Sequence, residues 1–182
     1  MTVDADTSTN DMITIMASGQ SGVSIPASGP GYEAFAEALE NVCLRLAKSV
    51  ARDGEGATKL VAVTVTGAET EQDAELAART IADSPLVKTA LFGNDPNWGR
   101  ILMAAGRSGA NLDPSKLRVD LGDIRVCQDG GAIPFDRDAA HDYLTQKDVE
   151  IKVDLGVGSA TATMWTCDFS YDYVKINAEY HT

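Results

Sequence analysis

Basic residues are scarce in this chain: 15 Lys and Arg stand against 27 Asp and Glu, a formal charge of −12 over 182 residues. Nucleic acid and anionic membrane surfaces both reward a basic face, so the balance argues against either as a partner. Histidine is scarcer still. His141 and His181 are the only two, and neither belongs to a His/Cys cluster at ligand spacing, which argues against a zinc site. Cys43, Cys127 and Cys167 are far apart and odd in number, so they form no disulfide framework, and a reducing cytoplasm is the default compartment. No apolar run is long enough to span a bilayer. Met1 to Asp11 has neither the basic start nor the apolar core of a signal peptide.

Familiar catalytic signatures are missing as well. There is no Gly-x-Ser-x-Gly elbow. Gly-x-Gly occurs at Gly29, Gly54 and Gly156, but never with the dinucleotide fingerprint between strand and helix, nor with a following Lys-Ser/Thr. Asp4, Asp6 and Asp11 lack the spacing of a calcium loop and read as turn-forming acids. No nucleophile stands beside an evident base. No cofactor is implied.

What is present is a globular composition, 44% hydrophobic, organised as mixed α and β with helices covering sheet. Met12 to Ala17 reads as a short strand with no partner before it, followed by a Gly- and Pro-containing loop from Ser18 to Gly31. Tyr32 to Arg52 is the clearest helix: Phe35, Leu39, Val42, Leu46 and Val50 recur at three- and four-residue steps, with Cys43 beside them as a packed thiol. Leu60 to Val65 predicts a half-buried strand, and Thr70 with Asp73 a capped helix to about Asp83, ended by Ser84-Pro85. Leu86 to Phe92 reads as the next strand, which would complete a crossover unit. A helix is expected from about Arg100 to Arg107, strands at Leu117 to Leu121 and Ile124 to Cys127, and a helix from Asp136 to Gln146. Val149 to Leu155 and Ala160 to Cys167 alternate cleanly and read as a hairpin joined at Gly156-Val-Gly-Ser159.

Two stretches carry candidate chemistry. Gly54 and Gly56 flank a lone carboxylate, Glu55, where helix hands over to strand. Glycine lets another segment or a ligand approach closely, and Glu55 is placed to meet a cation, although a helix stop plus a surface acid explains the same residues. In Gly93-Asn-Asp-Pro-Asn-Trp-Gly99, Asn94, Asp95 and Asn97 can stitch a rigid turn that Trp98 anchors to the core, either as a structural loop or as one lining a site.

Asp4-Ala-Asp-Thr-Ser-Thr-Asn-Asp11, Asp53-Gly-Glu-Gly-Ala-Thr-Lys59, Gly93-Asn-Asp-Pro-Asn-Trp-Gly-Arg100 and Tyr173-Val-Lys-Ile-Asn-Ala-Glu-Tyr-His-Thr182 together resemble the ornithine acetyltransferases, the bifunctional glutamate N-acetyltransferases of arginine biosynthesis. The four motifs fall in order along the whole chain. The resemblance implies an αββα-type sandwich. It also implies a precursor that cuts itself at an Ala-Thr bond into α and β chains, assembled as an α2β2 heterotetramer. In that family the new N-terminal threonine accepts acetyl from N-acetylornithine and passes it to glutamate; some members also accept acetyl-CoA. Residues 1–182 resemble a portion of the β chain, with the nucleophilic threonine expected upstream of Met1. By the same resemblance Glu55, Asn177 and Thr182 are substrate-binding positions. Ala5 departs from the family pattern, which has glycine there. Two readings stay open: an enzyme part that supplies substrate-binding residues, or an inactive remnant that binds a ligand or partner. Should the chain be active alone, Thr7, Ser8 and Thr9 are the next nucleophile candidates.

Overall fold

The computed structural model describes residues 1–7, 9 and 11–180. Among these, six helices accompany one six-stranded sheet in the order β4-β3-β2-β5-β1-β6. The strands are β1 (Leu60–Ala68), β2 (Arg118–Leu121), β3 (Ile124–Gln128), β4 (Gly131–Ala132), β5 (Asp148–Asp154) and β6 (Ala160–Cys167). The helices are α1 (Pro30–Arg52), α2 (Glu71–Ala82), α3 (Pro85–Phe92), α4 (Trp98–Gly106), α5 (Arg137–Leu144) and α6 (Tyr171–Glu179). This is the expected α+β arrangement of helices on a mixed sheet.

Alternation decides the two faces of the sheet. Val61, Val63 and Val65 of β1, Val149, Ile151 and Val153 of β5, and Val119 and Leu121 of β2 are buried, beneath Ala74, Ala77, Ala78 and Ile81 of α2 and Ile101, Ala104 and Ala105 of α4. Small alanines let α2 lie close to the strands. Their neighbours point the other way, and on β2 and β5 these are charged: Arg118, Asp120, Asp148, Glu150, Lys152 and Asp154. That face carries the ion pairs Arg118–Asp154 (2.5 Å), Arg125–Asp120 (2.8 Å) and Lys152–Glu150 (3.1 Å).

Five expectations are corrected. Residues 86–92 form helix α3, not a strand. Ser84 is the N-cap and Pro85 the first helical residue, so the dipeptide starts a helix instead of only ending one, and Val87, Ala90 and Leu91 face the core at helical spacing. The crossover unit therefore does not exist there; the parallel partner of β1 is β5. Strands β5 and β6 both exist but are not a hairpin, because β1 lies between them, parallel to β5 and antiparallel to β6. Their connection passes over the end of β1, where Val157 N–H (2.9 Å) and Gly158 N–H (2.8 Å) donate to the Gly67 carbonyl. Residues 12–17 form no strand, and Met12, Ile13, Ile15 and Met16 are 50 to 88% exposed. A strand needs a neighbour for its backbone groups, and the described chain supplies none there. Finally, Cys43 is exposed. The apolar stripe of α1 is real but largely bare: Tyr32, Phe35, Val42 and Leu46 remain 41 to 52% exposed, while the C-terminal end docks through fully buried Ala51 and through Lys48, whose ammonium lies 5.2 Å from the Trp165 ring centroid.

Candidate functional site

Where α1 ends, its C-terminus meets the end of β6, the first residues of the chain and α6. The stretch after Arg52 is the junction. Asp168, wholly buried just past β6, accepts from Thr58 N–H (2.8 Å), the Thr58 hydroxyl (2.5 Å) and Lys59 N–H (2.9 Å). One carboxylate thus satisfies the backbone as it enters β1. Lys59 then turns away from the junction; its ammonium bonds the Leu91 carbonyl and the Asn94 side-chain oxygen (2.5 Å). Burial lowers its pKa, and the Asp168 charge offsets this in part.

Both glycines around Glu55 are explained by close approach of the protein's own chain. A Cβ on Gly54 would stand 3.0 Å from Cys167 Sγ and from Val3 Cγ1. Gly56 has φ +65°, and a Cβ there would stand 2.4 Å from the Tyr173 amide nitrogen. Ser170 completes the contact: its hydroxyl donates to the Gly56 carbonyl (2.5 Å) and accepts from Asp172 and Tyr173 N–H as the N-cap of α6.

This docking brings two of the expected site residues together. Asn177 Nδ2 donates to Glu55 Oε2 at 2.8 Å, from residues 122 positions apart. Thr182, the third, lies outside the described residues, as do His181 and Ser8. Glu55 and Asn177 sit on an open cleft of about 740 Å³ whose wall also carries Asp4, Asp6, Asp11 and Asp53. Among the described lining residues the one basic side chain, Arg52, is paired with Asp148. Thr9 lies at its edge; Thr7 is not among the lining residues. Five carboxylates around one small open cleft suit a cationic group, which Glu55 can hold by a charge-assisted hydrogen bond.

The sequence reading missed the residues that build this cleft. Asp4 looked like a turn acid, and its Oδ1 does accept from Asp6 N–H (3.1 Å), but its other oxygen accepts from the Tyr173 hydroxyl (3.1 Å). Burial, the Asp4 bond and the Asp6 and Glu55 charges push the Tyr173 phenol up to about 12. Tyr173 stacks on Phe169 with centroids 4.3 Å apart, and the Lys88 ammonium stands 4.5 Å from that same Phe169 ring. Lys88 has no exposed surface; it donates to Thr166 Oγ1 (2.7 Å) and the Cys167 carbonyl, and burial lowers its pKa. Only the Asp-rich start and the tyrosine one turn before Asn177 hinted at these contacts.

None of the residues of the Gly93–Gly99 loop lines this cleft. Asn97 caps α4, accepting from Arg100 N–H (3.3 Å) and donating to Asp95 (3.0 Å), while Trp98 packs against the core. His141 is exposed, with Nδ1 3.0 Å from the Asn94 carbonyl oxygen. Among the described residues no group of acids, His and Cys is arranged to hold a metal, and no helix is long and apolar enough to cross a membrane.

Known proteins are similar to this chain over nearly all of its length. The ArgJ family model matches residues 1–182. The arginine biosynthesis bifunctional protein ArgJ of Symbiobacterium thermophilum is 51% identical over all of this chain and 46% of its own length. The glutamate N-acetyltransferase of Methanopyrus kandleri is 50% identical over all of this chain and 48% of its own. The crystal structure of the ArgJ bifunctional protein from Bacillus halodurans superposes with a TM-score of 0.93 at 45% identity, covering 98% of this chain and 85% of that one. The chain spans about half the length of the curated relatives it matches. With a family model matched from end to end and a solved relative of the same fold, the chain belongs to the ArgJ family.

Proposed function

We propose that this chain is the substrate-binding part of a glutamate N-acetyltransferase of arginine biosynthesis that moves acetyl from N-acetylornithine to glutamate. The observation that carries the reading is the Asn177–Glu55 pair, formed at 2.8 Å across the chain on the wall of an acidic cleft. Its relatives' names, an arginine biosynthesis bifunctional protein and a glutamate N-acetyltransferase, support acetyl transfer to glutamate, and N-acetylornithine as the donor is part of the proposal. N-acetylornithine has one free ammonium, and Glu55 is the carboxylate for it. The nucleophile is a threonine in the half of the family's length that this chain does not span. Its hydroxyl oxygen attacks the acetyl carbonyl, the amide C–N bond breaks, and ornithine leaves as the amine after taking a proton. The amine of glutamate then attacks the threonine ester and frees the hydroxyl. An N-terminal threonine can use its own α-amine as base, so neither His141 nor His181 is needed. Glu55 and Asn177 orient the donor during the first step.

The missing half also explains the bare stripe of α1 and the exposed apolar residues at 12–16. It is proposed to hold both the threonine-bearing start of the β chain and the α chain of an α2β2 assembly, the latter covering them. The solved relative supports a divided precursor, since its chain is only slightly longer than this one while the curated relatives are about twice as long. A soluble, cytoplasmic enzyme is the setting this implies; acetyl-CoA is a second candidate donor.

The test is acetyl transfer from N-acetylornithine to glutamate by this chain alone and by this chain co-produced with the remaining half of a relative. Transfer is expected only from the pair, and Glu55→Gln in that pair is expected to lower kcat/KM by about tenfold, since the amide keeps an acceptor oxygen but loses the charge of the bond to the ammonium. An inactive pair would favour the ligand- or partner-binding remnant, and unchanged kinetics in the variant would remove Glu55 from the site.

A further inference from the structure

The helix that carries Asn177 is not held by the core. No residue of α6 is buried, and Tyr171, Val174, Ile176 and Tyr180 are exposed. A helix without a buried face takes its angle from whatever ties remain. Among the described residues, besides the Asn177–Glu55 bond, these include the Ser170 cap on Gly56 at its start, the edge-on contact of Tyr171 with Phe92 (5.3 Å), the stacking of Tyr173 on Phe169, and the bond from the Tyr173 hydroxyl to Asp4. Asn177 stands one turn beyond Tyr173 and also donates to its carbonyl (3.0 Å), so the rotation of Tyr173 and the aim of the Asn177 amide are mechanically linked.

Asp4 is a firm anchor for such a tie. The residues around it are fastened to the sheet edge: Thr2 N–H donates to the Trp165 carbonyl (2.9 Å), the Thr2 hydroxyl to Asp83 (2.5 Å), and Ala5 N–H to the Thr2 hydroxyl oxygen (3.2 Å). Asp4 is therefore a fixed acceptor, and the phenol is a neutral donor at any physiological pH.

We propose that Asp4 and Tyr173 are positioning residues for the donor-binding site: their hydrogen bond clasps α6 to the first residues of the chain and so keeps Asn177 on Glu55. This rests on the function proposed above, and it assigns Asp4 a role different from that of a second acid facing the substrate's ammonium. The two roles separate by chemistry. Asp4→Asn keeps an acceptor oxygen for the phenol but loses the charge, whereas Tyr173→Phe keeps the charge but loses the bond.

The experiment uses the complete enzyme, both halves together. Tyr173→Phe and Asp4→Ala are each expected to raise KM for N-acetylornithine about tenfold with a much smaller change in kcat, the double variant being no worse than either single. Asp4→Asn is expected to do less harm than Asp4→Ala. Additive effects overturn the clasp, as does an Asp4→Asn defect as large as that of Asp4→Ala beside a harmless Tyr173→Phe. Hydrogen exchange of residues 174–180 gives a readout independent of activity: both single variants should exchange faster there while the sheet stays protected, and unchanged protection overturns the proposal. A wild type that transfers no acetyl defeats the functional reading instead, and the exchange measurement still decides the clasp.

Discussion

A Cβ on Gly56 would lie 2.4 Å from the amide nitrogen of Tyr173, closer than any side-chain carbon can approach a backbone. That proximity is what the second glycine of Asp53-Gly-Glu-Gly-Ala-Thr-Lys59 is for. It lets the first turn of α6 sit on the loop that carries Glu55, and so permits the Glu55–Asn177 contact. The same glycine holds φ +65°, so both space and conformation favour it.

Gly56→Ala should therefore separate α6 from the loop. The left-handed conformation and the overlap together predict a loss of about 1–3 kcal/mol, taken up locally because α6 has no buried face. Denaturant unfolding should show a modest drop in stability, and limited proteolysis should cut within residues 171–180 well before the sheet yields. A variant as resistant as the wild type would mean that the loop relaxes without losing the helix.

Ala5 offers the opposite change. It holds φ +74°, a conformation that costs an L-residue with a Cβ about 1 kcal/mol or more relative to glycine. The resemblance implies glycine there, so alanine is the strained choice. Ala5→Gly should raise stability by roughly 1 kcal/mol, less whatever freedom glycine adds to the unfolded chain. Chemical unfolding of the two proteins side by side measures it, and a lower midpoint for the glycine variant would refute the strain.

Lys88 should make stability depend on alkaline pH. Burial holds its ammonium below the ordinary 10.5 in the folded chain, so between that lowered value and 10.5 the unfolded chain binds more protons. The penalty of burying the cation is complete below the folded value, and this site's contribution to stability rises as pH climbs through the window. Lys88→Met removes the titration. Because burial also raises the Cys167 thiol above 9.0, which acts in the opposite sense, the comparison belongs in a Cys167→Ala background. Urea midpoints at neutral pH and just below 10.5 should then show the lysine protein gaining relative to the methionine one. Parallel pH profiles would mean that Lys88 does not titrate differently in the two states.

Several features were legible in the residues because their cause is local. Periodicity marks α1, α2 and the alternating strands, Thr70 and Asp136 announce their helices by capping them, and Gly54-Glu-Gly56 marks a close approach. Resemblance pointed to Glu55 and Asn177 as partners in one site. The misreadings share a physical reason as well. Leu86–Phe92 is a short apolar run whose composition suits strand or helix equally, and the choice was made by Ser84 and Pro85 together with the packing of Val87 and Leu91. Strands β5 and β6 looked like a hairpin because alternation records which face a residue takes, not which strand lies beside it. Strand β1 lies between them because its backbone pairs with both, parallel to β5 and antiparallel to β6. Asp168 and Lys88 carried no local sign of their roles, and Asp4 little, since a carboxylate or ammonium acquires its partners only when remote segments meet. Composition and pattern by themselves determined the kind of layers this chain builds and the acidity of its surface. Tertiary structure alone decided the strand order, the bare face of α1 and the joining of Glu55 to Asn177, because each depends on contacts between residues far apart in the chain.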